Sequence, residues 1–560
     1  MDRPVWQEGH GKQTMAQLMG KELLNNPFLN KGTAFSEEER KEYGLTGLLP
    51  TAVRTLEEQV EIEYAKVSRL TTDYEKNGYL MSVYNMNRVL YYRLVKDHLE
   101  ELMPVIYTPT IADAVMNFSE DYERPNEAVY LDADHPEQIR QALMSGAAGL
   151  ENIDLMVITD GEGVLGIGDW GIEGVMISVG KLAVYTVAGG MNPKRVLPVV
   201  VDNGTNRKEL LESPHYIGNR HERRTGEGYY RFIDQLVKDA EDLFPGVLFH
   251  WEDFGRGNAS TILEKYRKKI CTFNDDIQGT GVMMSAAMNA VAEVTGKSVK
   301  EHRYVIFGGG TAGCGVADQI LLEMTLQGMS EEEAIGHFYL VDRYGLVTDD
   351  MQELTAGQTR YARAKAEFPH ALTDLAEIID AVQPSVLIGT SGQPGRFTEE
   401  VVRKMAQYND RPAILPISNP TKLCEAKAED VIRWSEGRAL VVTGSPSRPV
   451  EYDGTTYIIG QANNALLYPG LGLGIVVAKA RTVTDGMLSA AAHGIVSLQD
   501  LSKKGAPILP PVRYVREASR LVAKAVVEAA IRDGVATAQI QDVDQAVAAA
   551  VWNPEYVSMK

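Results

Sequence analysis

The sequence predicts a mixed α/β protein, built from a doubly wound parallel sheet and a second α/β block and led by a mainly helical N-terminal region. Three observations carry this. Short apolar runs bounded by glycine recur from residue 153 onward, a glycine-rich turn joins one such run to a helical stretch, and residues 51–103 keep helical spacing of their apolar positions.

The helical region comes first. TLEEQVEIEYAKVSRL and NMNRVLYYRLVKDHLEELM are rich in Glu, Lys, Arg, Leu and Tyr, so residues 1–130 are expected to form a helical packing or assembly domain. Between 153 and 203, IDLMVITDGEGVLGIGDWG, GKLAVYTVAGG and VLPVVVDNG read as strand, turn, helix and strand. Residues 131–277 are therefore assigned to one α/β domain. A second α/β block, 278–466, shows five strand-like runs, YVIF, FYLVD, SVLIGT, AILPIS and ALVVTG. After 467 the Ala-rich VVAKARTV and ASRLVAKAVVEAAIRDG read as helices, with 467–540 expected to return to the first α/β core and 541–560 to form a tail.

A chain of 560 residues suggests about three domains. The net charge of -20 excludes nucleic acid and anionic membrane as main partners, but not a small anionic substrate, whose site needs only local positive charge. No stretch approaches the ~18 to 20 uninterrupted apolar residues of a membrane span. The first twenty residues lack a signal or transit pattern, and Cys271, Cys314 and Cys424 are too few for a disulfide framework or a zinc knuckle. A cytoplasmic protein with three small buried thiols is expected.

YVIFGGGTAGCGVADQILLEM runs from a strand through Gly308, Gly310, Thr311, Ala312 and Gly313 into a helix. The first glycine permits a tight turn, the second close approach of backbone to a pyrophosphate, and the third close helix packing. This is a Rossmann-type dinucleotide signature. Asp342, at the end of the next strand-like run, can bind the ribose 2′-hydroxyl and repel a 2′-phosphate, favouring NAD over NADP. It lies 29 residues beyond Gly313 rather than the usual ~20, and Arg343 beside it partly offsets the repulsion.

Carboxylates cluster at two other places. VLFHWEDFGRGNA sets Glu252 and Asp253 at the end of an apolar run, and FNDDIQGTG sets Asp275 and Asp276 at the mouth of an apolar helix. Two readings stand for the second pair: capping of the helix, and ligation of a hard divalent cation such as Mg²⁺ or Mn²⁺ together with Glu252 and Asp253.

FHWEDFGRGNA followed by TFNDDIQGTG, with LLNNPFLNKGTAF, MPVIYTPT, VGKLAVYT, PISNPT and QANNALLYPGLGLG, resembles the malic enzyme family, which includes the malolactic enzymes. The matches run in order from about residue 23 to residue 557. The resemblance implies metal-assisted oxidative decarboxylation of L-malate with NAD, with Glu252, Asp253 and Asp276 as ligands of Mn²⁺ or Mg²⁺. It implies Lys181 as general base at the malate hydroxyl and Tyr107 as the acid that protonates the enol carbon. Asn419, Asn463 and Asn464 would contact malate or the nicotinamide end, and Asp275 would support the metal site or orient Lys181. From residue type alone, Lys181 reads as a solvated helix lysine, Tyr107 as a packed aromatic, and Asn419 and Asn464 as turn residues. The family also suggests a homodimer or homotetramer.

One departure bears on the product. Ordinary malic enzymes read roughly TDGERILGLGDLG, with an arginine that clamps a malate carboxylate, whereas this chain reads TDGEGVLGIGDWG, with Gly163 at that position and Trp170 in place of leucine or glutamine. The glycine, GDWG and HWEDFGR are similar to the malolactic branch. Losing the arginine removes a bidentate carboxylate contact and reshapes the space beside the nicotinamide, so that pyruvate and NADH stay for a second hydride transfer. The expected net reaction is malate to lactate and CO₂. An NAD-dependent malic enzyme releasing pyruvate and NADH is the second expectation, supported by YTPT and TSGQPG, and a non-catalytic NAD-binding protein on the same fold is the third.

Overall fold

The computed structural model describes residues 18–122, 128–164 and 166–558. Most of the leading segment read for targeting signals lies outside these residues. The chain divides into two compact units, Met1–Asn258 with Ala548–Lys560, and Ala259–Val547.

In the first unit, helices Leu56–Val67, Asp73–Met86, Arg88–Asp97 and Leu99–Ile106 form the expected helical region. Their starts are written in the sequence. Thr55 with Glu58, and Thr72 with Glu75, form reciprocal caps that satisfy the free N–H groups of two helices, and Asn87 caps the third. The α/β part holds strands β1 (Val129–Asp132), β2 (Leu155–Thr159), β3 (Val196–Asp202) and β4 (Leu248–Trp251). They pair in parallel in the order β1-β3-β2-β4. Strands β2, β3 and β4 are buried at every position, which is why they read as apolar runs rather than as alternating patterns.

Between β2 and β3 runs one helical segment, Gly171–Gly189, whose length and mean hydropathy of 1.3 would suffice to cross a membrane, although the whole of it is buried in the fold. It is a core helix. The segment begins about nine residues earlier than GKLAVYTVAGG suggested, because GIEGVMIS packs on all sides and shows no amphipathic face to reveal it. Residues from the far end of the sequence complete this unit. Tyr556 donates to Gln59 Oε1 and accepts from Asn87 Nδ2, both at 2.7 Å, and the Trp552 ring meets Tyr92 edge-on.

In the second unit, after β5 (Thr272–Asn274), the five runs read from sequence form β6 (Tyr304–Phe307), β7 (Phe338–Asp342), β9 (Val386–Gly389), β10 (Ala413–Pro416) and β11 (Leu440–Thr443). With the short β8 (Gly345–Leu346) and β14 (Gly460–Gln461), they make a sheet in the order β14-β11-β10-β9-β6-β7-β8. The hairpin of β12 (Val450–Tyr452) and β13 (Thr455–Tyr457) stands apart from it. The strand order reverses at β6, where the glycine turn lies. Helices Tyr468–Ala478, Asp485–Val496 and Val515–Arg532 pack on one another, and Thr280–Thr295 packs on the second of them.

Candidate active site

The first unit carries Tyr107, Gly163, Lys181, Glu252 and Asp253 of the predicted residues. Glu252 and Asp253 follow directly on β4, and both are buried. Asp253 takes a left-handed backbone conformation, φ 54°, uncommon for a residue with a side chain and associated with functional strain. Its carbonyl accepts from the Gly163 N–H at 2.9 Å. A Cβ at Gly163 would lie 2.7 Å from the Phe254 carbonyl oxygen, so a side chain at this position would force that backbone to shift.

Lys181 is 1% exposed, which overturns the solvated reading. Its Nζ pairs with Glu252 Oε1 at 2.7 Å, and Glu252 Oε2 bonds His250 Nε2 at 2.7 Å. His250 Nδ1 in turn meets the Tyr185 hydroxyl at 2.8 Å. Removing one member of a buried ion pair costs about 3–5 kcal/mol, so this chain of four fixes where the lysine stands. Lys181 Nζ also lies 5.1 Å from the centroid of the Tyr107 ring. The two are brought close by Gly180, where a Cβ would stand 3.0 Å from the Ile106 carbonyl oxygen. Tyr107 ends its helix, its N–H bonding Met103 O, and is only half-buried. His250 and Tyr185 were missed by sequence reasoning, yet a signal existed: residues two apart on a strand share a face, as do residues four apart on a helix.

The loop carrying Gly163 and Trp170 is tied down from below. Arg223 donates to both carboxylate oxygens of Asp169, at 2.7 and 2.9 Å, and to the Asp160 carbonyl at 2.9 Å. Burial pushes the Asp160 carboxyl up despite the Arg223 guanidinium and the Tyr229 hydroxyl that donates to it at 2.6 Å. The Trp170 ring lies under the Arg207 guanidinium, 3.9 Å away. Further along, burial pushes the Glu173 carboxyl up to about 7, with Glu120 adding to it and Ser119 and Arg207 opposing.

The second unit carries the remaining predicted residues. The helix at FNDDIQGTG is capped by neither aspartate but by Asn274, whose side chain accepts from Ile277 N–H at 2.9 Å. Asp275–Gly279 then forms a π-helical turn, a distortion frequent at functional sites, ahead of helix Thr280–Thr295. Asp275 is buried and accepts from Asn464 Nδ2 at 3.0 Å, while Asp276 is partly exposed. Asn463 spends its carbonyl oxygen on Ala465 N–H, and Asn419 Oδ1 accepts from Ser445 Oγ.

The glycine turn follows β6 as expected. Gly308 has φ 115°, and a Cβ there would lie 2.6 Å from Ser391 N. A Cβ at Gly313 would stand 2.1 Å from Gly308 O, whereas Gly310 faces open space. With Thr311 and Ala312 exposed at the first turn of helix Thr311–Leu326, their N–H groups are available to a phosphate. Asp342 ends β7 and accepts from Gln358 Nε2 at 2.5 Å; Arg343 beside it is exposed.

Residues 84–267 match the family model described as malic enzyme, N-terminal domain, and residues 277–531 match malic enzyme, NAD binding domain. The chain is 50% identical to the malolactic enzyme of Lactococcus lactis, over 96% of this chain and 99% of that protein. It is 49% identical to NAD-dependent malic enzyme 3 of Bacillus subtilis, over 96% of each. The malolactic enzyme of Leuconostoc mesenteroides is 48% identical over 96% of this chain and 99% of its own. Among solved structures, the malic enzyme of Pyrococcus horikoshii shares the fold, with a TM-score of 0.54 at 22% identity over 81% of this chain and 88% of that one.

Proposed function

The chain belongs to the malic enzyme family, and from that membership we propose that it converts L-malate to L-lactate and CO₂. The observation that carries the lactate outcome is Gly163. A carboxylate-clamping arginine there would force the Phe254 backbone to shift.

We assign the divalent cation to Glu252, Asp253 and Asp276. The donor chemistry fits: three carboxylates offer hard oxygens suited to Mn²⁺ or Mg²⁺, and two of them are buried. When bound, the cation supplies Lewis acidity toward the hydroxyl and carboxylate oxygens of malate. NAD supplies a hydride acceptor and, held as NADH, a hydride donor.

The remaining work falls to side chains. Lys181 takes the proton from the malate hydroxyl, and Tyr107 delivers one to the carbon that CO₂ leaves. The buried Glu252 fixes the lysine, with His250 and Tyr185 behind it. Gly308, Gly310, Thr311, Ala312 and Gly313 cradle the pyrophosphate, and Asp342 takes the ribose hydroxyl. Asn419, Asn463 and Asn464 contact malate or nicotinamide, and Asp275 supports the metal ligands. The overall balance is malate dianion plus one proton giving lactate and CO₂, with no net change in NAD.

Purified protein incubated with L-malate, Mn²⁺ and catalytic NAD tests this. Stoichiometric lactate without NADH build-up is expected, and pyruvate with matching NADH would sink the proposal. That second outcome is the malic enzyme reading, favoured by the 49% identity to the Bacillus subtilis protein. A homodimer or homotetramer, measurable by light scattering, and a cytoplasmic location, in keeping with three free cysteines, belong to the same proposal.

A further inference from the structure

We propose that Glu425 is a positioning residue for the dinucleotide site, latching together the two loops that flank the glycine turn. The inference rests on the assignment of that turn to NAD. In a doubly wound sheet the ligand lies beyond the carboxyl ends of the strands, so the loops leaving those ends form the walls of the site. Ser391 lies on the loop after β9 and Ser418 on the loop after β10, and these two strands are neighbours.

Glu425 is fully buried, and its carboxylate lies between the two loops. Its Oε1 accepts from Ser391 N–H at 2.8 Å, from Ser391 Oγ at 2.8 Å and from Ser418 Oγ at 2.6 Å. Its Oε2 accepts from Ser418 N–H at 3.4 Å. A cross-link between the loops reinforces this, Gly392 N–H donating to Ser418 Oγ at 2.9 Å. The space for the carboxylate exists because residue 389 is glycine, where a Cβ would stand 2.5 Å from the Glu425 carboxyl carbon.

Both loops bear on the site. Gly308 packs so closely on Ser391 that a Cβ at 308 would lie 2.6 Å from its nitrogen, and Thr390 Oγ1 donates to Gly308 O at 2.8 Å. A few tenths of an ångström of movement at Ser391 therefore reshapes the turn that cradles the pyrophosphate. Ser418 immediately precedes Asn419, the amide assigned to the nicotinamide end. One carboxylate thus sets the wall positions at both the phosphate and the nicotinamide, touching neither itself.

The test follows NADH binding by fluorescence in the full-length protein, alongside KM for NAD and for malate and a thermal melt. Glu425→Ala is expected to weaken NADH binding about ten- to a hundredfold, the loss of several bonds to a charged acceptor, and to raise KM for NAD far more than KM for malate. Glu425→Gln keeps an acceptor oxygen for both serines and is expected to recover most of the affinity. Ser391→Ala combined with Ser418→Ala removes the two hydroxyl bonds while leaving the carboxylate in place, and is expected to weaken NADH binding in the same direction. A folded Glu425→Ala protein whose NADH affinity stays within about twofold of wild type would overturn the proposal, whatever its melting temperature. Where Glu425→Ala does not fold, an unchanged affinity in the double serine variant overturns it equally. Wild-type protein that binds no NADH would overturn the NAD assignment itself, a result distinct from either.

Discussion

Lys181 and Glu252 form an ion pair of 2.7 Å in which neither side chain is more than 3% exposed. A lysine in that setting is held in one place by its partner, so its substitution has two separable consequences. Lys181→Ala is expected to lower kcat by about 10³-fold, the scale of a lost general base, with NADH affinity within about twofold of wild type. In chelated protein it is also expected to lower stability by about 3–5 kcal/mol, read by denaturant unfolding, because without lysine or metal Glu252 is left buried opposite no cation. A variant that loses NADH binding along with turnover would refute the role given to the lysine.

The metal assignment predicts that chelation abolishes turnover and that Mn²⁺ restores it. Asp253→Asn is the informative variant, since asparagine tolerates the left-handed backbone at φ 54° while giving up the charge. Its Mn²⁺ activation constant, and that of Asp276→Asn, should rise by about tenfold or more, measured by titrating the metal into chelated protein. Full activity in chelator would refute the assignment.

Gly163→Arg is not expected to restore pyruvate release. A Cβ there would lie 2.7 Å from the Phe254 carbonyl oxygen, so any side chain displaces the backbone that holds Asp253. Overpacking of this kind costs about 1–3 kcal/mol, and even Gly163→Ala should raise the Mn²⁺ requirement. Product analysis and metal titration together check this. A stable Gly163→Arg enzyme with unchanged metal affinity would contradict it.

Glu173 gives a pH dependence of defined sign. Its carboxyl is pushed up to about 7 by burial, from an ordinary value near 4.5, so the folded state holds the proton more tightly than the unfolded chain. The favourable contribution is complete below about pH 4.5 and is lost as pH rises through about 7. Glu173→Gln should therefore add about 1–3 kcal/mol at pH 8 and almost nothing at pH 4.5, visible as a flatter plot of stability against pH. Equal gains at both pH values would contradict the burial argument.

The parts of the molecule legible in sequence are those whose cause is local. Strands β6, β7, β9, β10 and β11 are short buried runs between turns, and the glycine spacing from Gly308 to Gly313 records a steric requirement within a few residues. Lys181 was not legible without the family resemblance. Its helix is apolar on every face, so periodicity gives a single lysine no direction, and the partner that explains it lies on β4, far along the chain. Asp275 and Asp276 have the composition of helix caps, yet the adjacent Asn274 does the capping, a choice made by backbone geometry rather than residue type. Glu425 sits in a stretch with nothing to mark it, because what it joins is two loops brought together only by the sheet.

Trp552 and Tyr556 seal the first unit against residues that precede the second unit entirely. This makes the two units unequal in what they need from the chain. The first unit needs the segment from residue 548 onward to close, whereas the second unit is contiguous and carries all of its own residues between 259 and 547. A released chain truncated before residue 548 should thus keep a protease-resistant second unit and show an incompletely closed first one, making residues 548 onward a latch on which one unit depends and the other does not.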